Sequence, residues 1–281
     1  SRPTQNNIRI LPMAGYEKNG LDLRAAFGYL GKTDEVSQRT GSIVIFDGLY
    51  ERKKSSENLS LKTSFKGDDT DTRYNYGSDS DILYFRNFGD GSGNFSAGGS
   101  GNFNRYHFSD LQSAGYMINR YEYDVFSNLF YTPSPNIHNS TGVAFYSRNR
   151  DSFKDGEEIG YNSNSDLKIT DELFFDRGSL GLSFKADFDT GSDRFSVDYD
   201  ENDRSLSFYN IALSTGANYR LNEYTFRMYG RFVKHEYKSL TSSNLEDRDI
   251  VKISLTPEAV YTKTGNFTIS QSFPFEYYKL V

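Results

Sequence analysis

The sequence predicts an all-β fold. Residues 1–281 read as a single domain, a closed antiparallel transmembrane β-barrel of about fourteen strands, with twelve to sixteen compatible with the pattern. Three observations predict it. Apolar and polar residues alternate by parity in segment after segment, no stretch repeats at the three-and-four spacing of a helix, and short turns on one side alternate with long loops on the other.

The clearest segment is 179–189. Leu180, Leu182, Phe184, Ala186 and Phe188 take the even places, and Gly181, Ser183, Lys185, Asp187 and Asp189 the odd ones. Side chains on a strand point alternately to opposite faces, so this strand has one wholly apolar face and one polar, mixed-charge face. Such a strand lies between oil and water.

Composition agrees. Apolar residues make up only 36%, yet 22 Tyr and 23 Phe bring aromatics to 16%, and Gly is frequent while Pro is scarce. That balance suits strands with one face in water and one in lipid. No Cys is present, which excludes a disulfide scaffold and thiolate metal sites, and no run of 18 apolar residues exists to form a transmembrane helix. The start, SRPTQNN, lacks a basic-then-apolar leader, so any export signal is expected to have been removed or never present. The net charge of −6, with acids gathered in 67–72 and 189–203, argues against nucleic acid as a partner.

In chain order the strands are expected at 6–16, where Pro12 breaks the ladder, at 21–30, and at 42–52, where parity slips near Asp47 and Gly48 as a bulge would make it. Next come 59–66, 81–88, the Gly-rich 94–108, 116–131, 140–149, 166–175 and 179–189. The last four are 204–219, with another slip near Tyr209 and Asn210, then 223–237, 251–261 and 267–277. Short turns are expected at 17–20, 53–57, 89–93, 132–136, 176–179, 219–223 and 262–266, and long loops at 31–40, 67–80, 150–165, 189–203 and 238–247.

This pattern resembles the bacterial outer-membrane β-barrels, porin-like, and in strand count the monomeric fourteen-strand porins. The resemblance is one of architecture and covers nearly the whole chain. It implies a Gram-negative outer membrane, the lipid bilayer and small polar solutes or ions as partners, and no bound cofactor or metal. Such barrels begin and end in the periplasm, whereas here the first and last connections are both short, which sends both termini outward. Either the N-terminal strand is misread, or a strand is lacking at each end and the barrel has about sixteen. The ending EYYKLV also lacks the terminal aromatic that the resemblance implies.

With the apolar face in lipid, the lumen would be lined by Arg24, Lys62, Glu122, Asp124, Lys168, Glu172, Lys185, Asp187, Glu223, Arg227, Tyr229, Arg231, Lys252 and Glu258. Charges of both signs on such a wall tune ion preference. Arg227 and Arg231, with Tyr229 between them, are either a constriction selecting anions or sugars or two salt-bridged wall residues. His138 and Ser140, in an H-x-S-x-G run, resemble the outer-membrane phospholipases, in which His is the base and Ser the nucleophile at the lipid-facing rim. A polar pair beside a turn is the simpler reading, and no enzyme is expected.

Asp68, Asp69 and Asp71, or Asp198, Asp200 and Asp203, lack the spacing of a calcium loop, and GDGSG and SAGGSG lack the following helix of a phosphate site. Without Trp, the interfacial girdles fall to Tyr29, Tyr131, Phe175, Phe188, Tyr219 and Tyr261. The expected function is a channel for passive diffusion of small hydrophilic solutes, as a lone barrel or a trimer. The alternatives are an exporter or secretion pore for a polymer or protein, a hydrolase of the barrel wall, and a secreted β-sandwich.

Overall fold

The computed structural model describes residues 6–33, 38–70, 73–89, 91–108, 115–197, 205–239, 248–263 and 267–280. These form β1 (Asn6–Ile10), β2 (Met13–Lys18), β3 (Leu21–Thr33), β4 (Gln38–Lys53), β5 (Glu57–Thr70), β6 (Arg73–Asn87), β7 (Gly93–Phe108) and β8 (Tyr116–Ser134). The second half supplies β9 (Ile137–Lys154), β10 (Glu157–Arg177), β11 (Leu180–Val197), β12 (Leu206–Leu221), β13 (Tyr224–Ser239), β14 (Arg248–Lys263), β15 (Phe267–Ser272) and β16 (Phe275–Leu280). All lie in one antiparallel sheet, in which β3 to β14 each pair with their neighbours in sequence, and no helix occurs among the described residues.

β1 and β2 both pair with β3, and β15 and β16 both pair with β14, so the sixteen elements occupy fourteen strand positions. Proline causes both interruptions, since it donates nothing to a ladder and is tolerated at sheet edges. Pro12 separates β1 from β2, and Pro274 separates β15 from β16. The second break is doubly determined. The Phe273 amide donates to the Pro257 carbonyl at 3.0 Å, so the donor that Pro257 lacks faces the same gap. Gly28 makes the first break possible, because a Cβ there would lie 1.9 Å from the Ile10 carbonyl oxygen. Gly28→Val is therefore expected to unseat β1, read as fast amide exchange over residues 6–10 while the β3–β4 ladder stays protected. Unchanged protection of β1 would refute this account of the break.

The register corrects several expectations. β4 pairs with β3 and β5, and β12 with β11 and β13, without a shift, so there is no bulge at Asp47–Gly48 or Tyr209–Asn210. Both strands carry apolar residues on the polar face as well: Ile43, Ile45 and Leu49 on β4, Leu206 and Phe208 on β12. That mimics a slip. Shifts occur instead beside hairpins, at Tyr131/Ser134 and Glu158/Gly160.

Two expected long loops are strands. β5 and β6 leave only 71–72 between them, and β9 and β10 meet at Asp155-Gly156, with φ of 53° and 90°. Both central residues in the left-handed region is the two-residue hairpin geometry, which Asn19-Gly20 repeats at 52° and 82°. β11 likewise runs on to Val197, through the first half of a third expected loop. Asn6 and Leu280 both lie at the end of the sheet away from the Asn19-Gly20 turn, as the short first and last connections require.

The sheet encloses no aqueous-type core. Among the described residues the buried apolar side chains are Ala26, Ile43 and Val233, while large apolar residues from Ile10 to Leu280 remain exposed. A soluble sandwich would press two apolar faces together. Here a single apolar face lies uncovered. The hydrogen-bonded path ends at the β1/β2 position on one side and at β15/β16 on the other, with β2 and β16 exposed along their lengths.

Candidate functional site

The registers sort every strand into two faces. From the turn end, the outward residues of β11 are Leu180, Leu182, Phe184, Ala186 and Phe188, then Thr190, Ser192 and Arg194. On β13 they are Tyr224, Phe226, Met228, Gly230 and Phe232, then Lys234, Glu236 and Lys238. On β9, Val143 and Phe145 give way to Ser147, Asn149 and Asp151. About five outward positions are thus apolar and those beyond are polar. At ~3.3 Å per residue and ~40° tilt, five such positions span roughly 20 Å, close to the ~25 Å apolar band of a transmembrane barrel.

Aromatics mark both edges of the band. Tyr50, Tyr84, Tyr131, Phe175, Tyr219 and Tyr261 stand near the turn end, and Tyr29, Phe46, Phe65, Phe103 and Phe188 near the other. The six girdle residues expected from sequence all point outward in these two rows. Lys234 is the first polar residue above the band on β13. Its pairing with Glu236, then its 3.1 Å hydrogen bond to the Tyr209 hydroxyl, hold its ammonium pKa above the ordinary lysine value.

One charged residue stands inside the apolar face. Asp171 is the fourth outward position on β10, between Leu173 and Ile169, with Thr141 opposite on β9 and Ala186 on β11. Its Oδ1 accepts from the Thr141 hydroxyl at 2.6 Å and from Asn139 Nδ2 at 3.0 Å. The sequence signal was the gap in the apolar series Leu167, Ile169, Leu173, Phe175.

On the opposite face stand Arg24, Lys62, Glu122, Asp124, Lys168, Glu172, Lys185, Asp187, Arg227, Tyr229, Arg231, Lys252 and Glu258. Glu223 does not join them, because it occupies the Asn222–Glu223 turn. Many of these charges pair along the wall: Arg24 with Asp22 at 2.7 Å, Glu122 with Arg148 at 2.7 Å, Lys185 with Asp187 at 3.6 Å and Lys252 with Glu276 at 3.5 Å. Arg227 binds Glu258 at 3.2 Å, whereas Arg231 stands opposite Ser214 and Ser254 with no carboxylate at ion-pair distance among the described residues. The two arginines therefore differ, one neutralised and one free, with the exposed Tyr229 between them.

His138 and Ser140 also lie on this charged face, not on the lipid-facing rim that the phospholipase resemblance implies. His138 Nδ1 shares a 3.2 Å hydrogen bond with the Thr132 hydroxyl, and its ring stacks 6.2 Å from Phe130. Ser140 stands opposite Phe130 and Glu172, and the pair is not hydrogen-bonded. Asp68 and Asp69 point to opposite faces of β5, so they cannot hold one ion together. Asp71, Asp198, Asp200 and Asp203 lie outside the described residues.

No protein-family model matches the chain, and no curated protein matches it either. Among solved structures the chain is similar to the FrpB iron transporter from Neisseria meningitidis, at 8% identity and a TM-score of 0.46 over 99% of this chain and 61% of that one. It is similar also to the copper transporter OprC (9% identity, TM-score 0.42, 99% of this chain, 60% of that one). A third is the ferric citrate transporter FecA in its unliganded form (11%, 0.43, 100% and 58%). The chain spans about three fifths of each neighbour's length.

Proposed function

We propose that the chain forms the wall of a β-barrel in a Gram-negative outer membrane, its two edges paired within the closed barrel, and that small hydrophilic solutes or ions diffuse passively along its charged face. The observation that carries this reading is the uncovered apolar face, about five residues tall and bordered by two rows of Tyr and Phe. Water does not tolerate so large an exposed apolar surface, and lipid does. Closure follows from the same setting, because an unpaired strand edge in hydrocarbon leaves its backbone groups unsatisfied.

The opposite face supplies the path. Fixed charges of both signs on the wall of an aqueous channel set ion preference without a bound cofactor. Transport rather than catalysis is favoured by His138, whose hydrogen bond goes to Thr132 and leaves Ser140 unactivated.

The test is a voltage-clamp recording on the detergent-purified protein in a planar bilayer. Discrete conductance steps are expected, and Arg231→Glu should move the ion preference toward cations. A protein that folds without detergent and never inserts would overturn the membrane reading. Insertion without conductance would overturn the channel while leaving the barrel.

A further inference from the structure

On the charged face, above the apolar band, Arg120 of β8 stands directly opposite Arg150 of β9, and Arg148 follows two residues along β9. Like charges directly opposed across a ladder are unfavourable. The chain's own carboxylates do not relieve this pair. Glu122 holds Arg148 at 2.7 Å, and among the described residues neither Arg120 nor Arg150 has a carboxylate at ion-pair distance.

Aromatic rings seat two of the three guanidiniums. Arg120 lies over the Tyr106 ring at 5.6 Å, and Arg148 over Tyr146 at 5.9 Å. A stacked guanidinium keeps its N–H edges free for a bidentate acceptor. On the next strand, the side-chain amides of Asn162 and Asn164 stand opposite Arg150 and Arg148. The three arginines, Tyr146 and the two asparagines line a cavity of about 640 Å³, together with Glu122. Asp193 lies at its far side, opposite Asn164 on β11, three strand positions from Arg120.

We propose that this is a binding site for a small multivalent anion, whose phosphate or carboxylate oxygens bridge Arg120 and Arg150. Such an oxyanion turns the repulsion of the pair into two charge-assisted hydrogen-bond forks, and Asn162 donates to a remaining oxygen. Asp193 confines the anion to the β8–β9 side. The site names a solute class for the channel proposed above, and it rests on that reading only in needing the charged face to be open to water.

Equilibrium titration of the detergent-purified chain at low ionic strength tests it, with pyrophosphate and succinate as probes and chloride as the reference. Saturable binding of one or both is expected. Pyrophosphate alone would mark a phosphate site, and succinate a carboxylate site. Arg120→Gln and Arg150→Gln should each weaken binding roughly tenfold and together abolish it. Arg194→Gln, a comparable distance above the band but on the other face, should leave it unchanged.

Absence of saturable binding, or equal weakening by Arg194→Gln, would overturn the site. Both arginines are exposed, so the variants are expected to fold, and an unchanged heat-induced mobility shift on gels verifies this. Binding without bilayer conductance would leave the site standing and remove the channel. Conductance without binding would do the reverse.

Discussion

Phe184→Arg is expected to destabilise the protein in phospholipid vesicles by roughly 2–4 kcal/mol, the cost of placing a guanidinium near the bilayer midplane on a barrel's outer surface. Phe184 is the third of the five apolar outward positions on β11, with Leu173 and Thr215 beside it, so a charged side chain there has the longest route to either interface. Its neighbour in sequence, Ser183, points to the other face, and Ser183→Arg is expected to change stability by no more than a few tenths of a kcal/mol. Equilibrium unfolding in denaturant, followed by tryptophan-free far-UV signals, measures both. The comparison is decisive because the two sites are one residue apart. Equal effects would mean that neither face meets lipid, and a large cost at Ser183 alone would mean that the faces are exchanged.

Asp171→Asn is expected to act in the opposite direction, raising stability in vesicles by roughly 1–2 kcal/mol. A carboxylate on the lipid face carries a desolvation cost that an isosteric amide does not. The substitution keeps an acceptor for the Thr141 hydroxyl and for Asn139 Nδ2, so the local hydrogen bonds survive while the charge goes. Asp171→Leu is a poorer probe, since it leaves Asn139 and Thr141 without their shared acceptor. Unchanged or lowered stability of Asp171→Asn would place this patch in water or against another protein surface.

What could be read from the sequence follows from where each residue sits relative to that band. In the proposed setting one side of the wall within the band is lipid and the other water, so parity is sharp in segments such as Leu180–Phe188 and Tyr224–Phe232, and these could be placed from sequence. Beyond the band both sides would be water. The outer stretches of β5, β6, β9 and β10 carry Ser, Asn, Asp and Arg on both faces, which erases the alternation and makes strands look like loops. β4 failed for the inverse reason, since Ile43 and Ile45 put apolar residues on the inner face and imitated a bulge. Which residues share the charged face followed from parity alone, except for Glu223, which occupies a turn. The opposition of Arg120 and Arg150, which lie 30 residues apart, depends on inter-strand register, which no single-segment pattern reveals.

The overhang of β9 and β10 has a mechanical consequence. With 18 and 21 residues, these strands exceed the ~9–11 needed to cross a bilayer by roughly 7–12, enough for a collar standing roughly 18–30 Å clear of the apolar band. A collar of continuous ladder is stiff, because bending it breaks several hydrogen bonds at once. In the proposed orientation, an antibody or phage tail arriving at the cell over β9 and β10 would meet a rigid edge there.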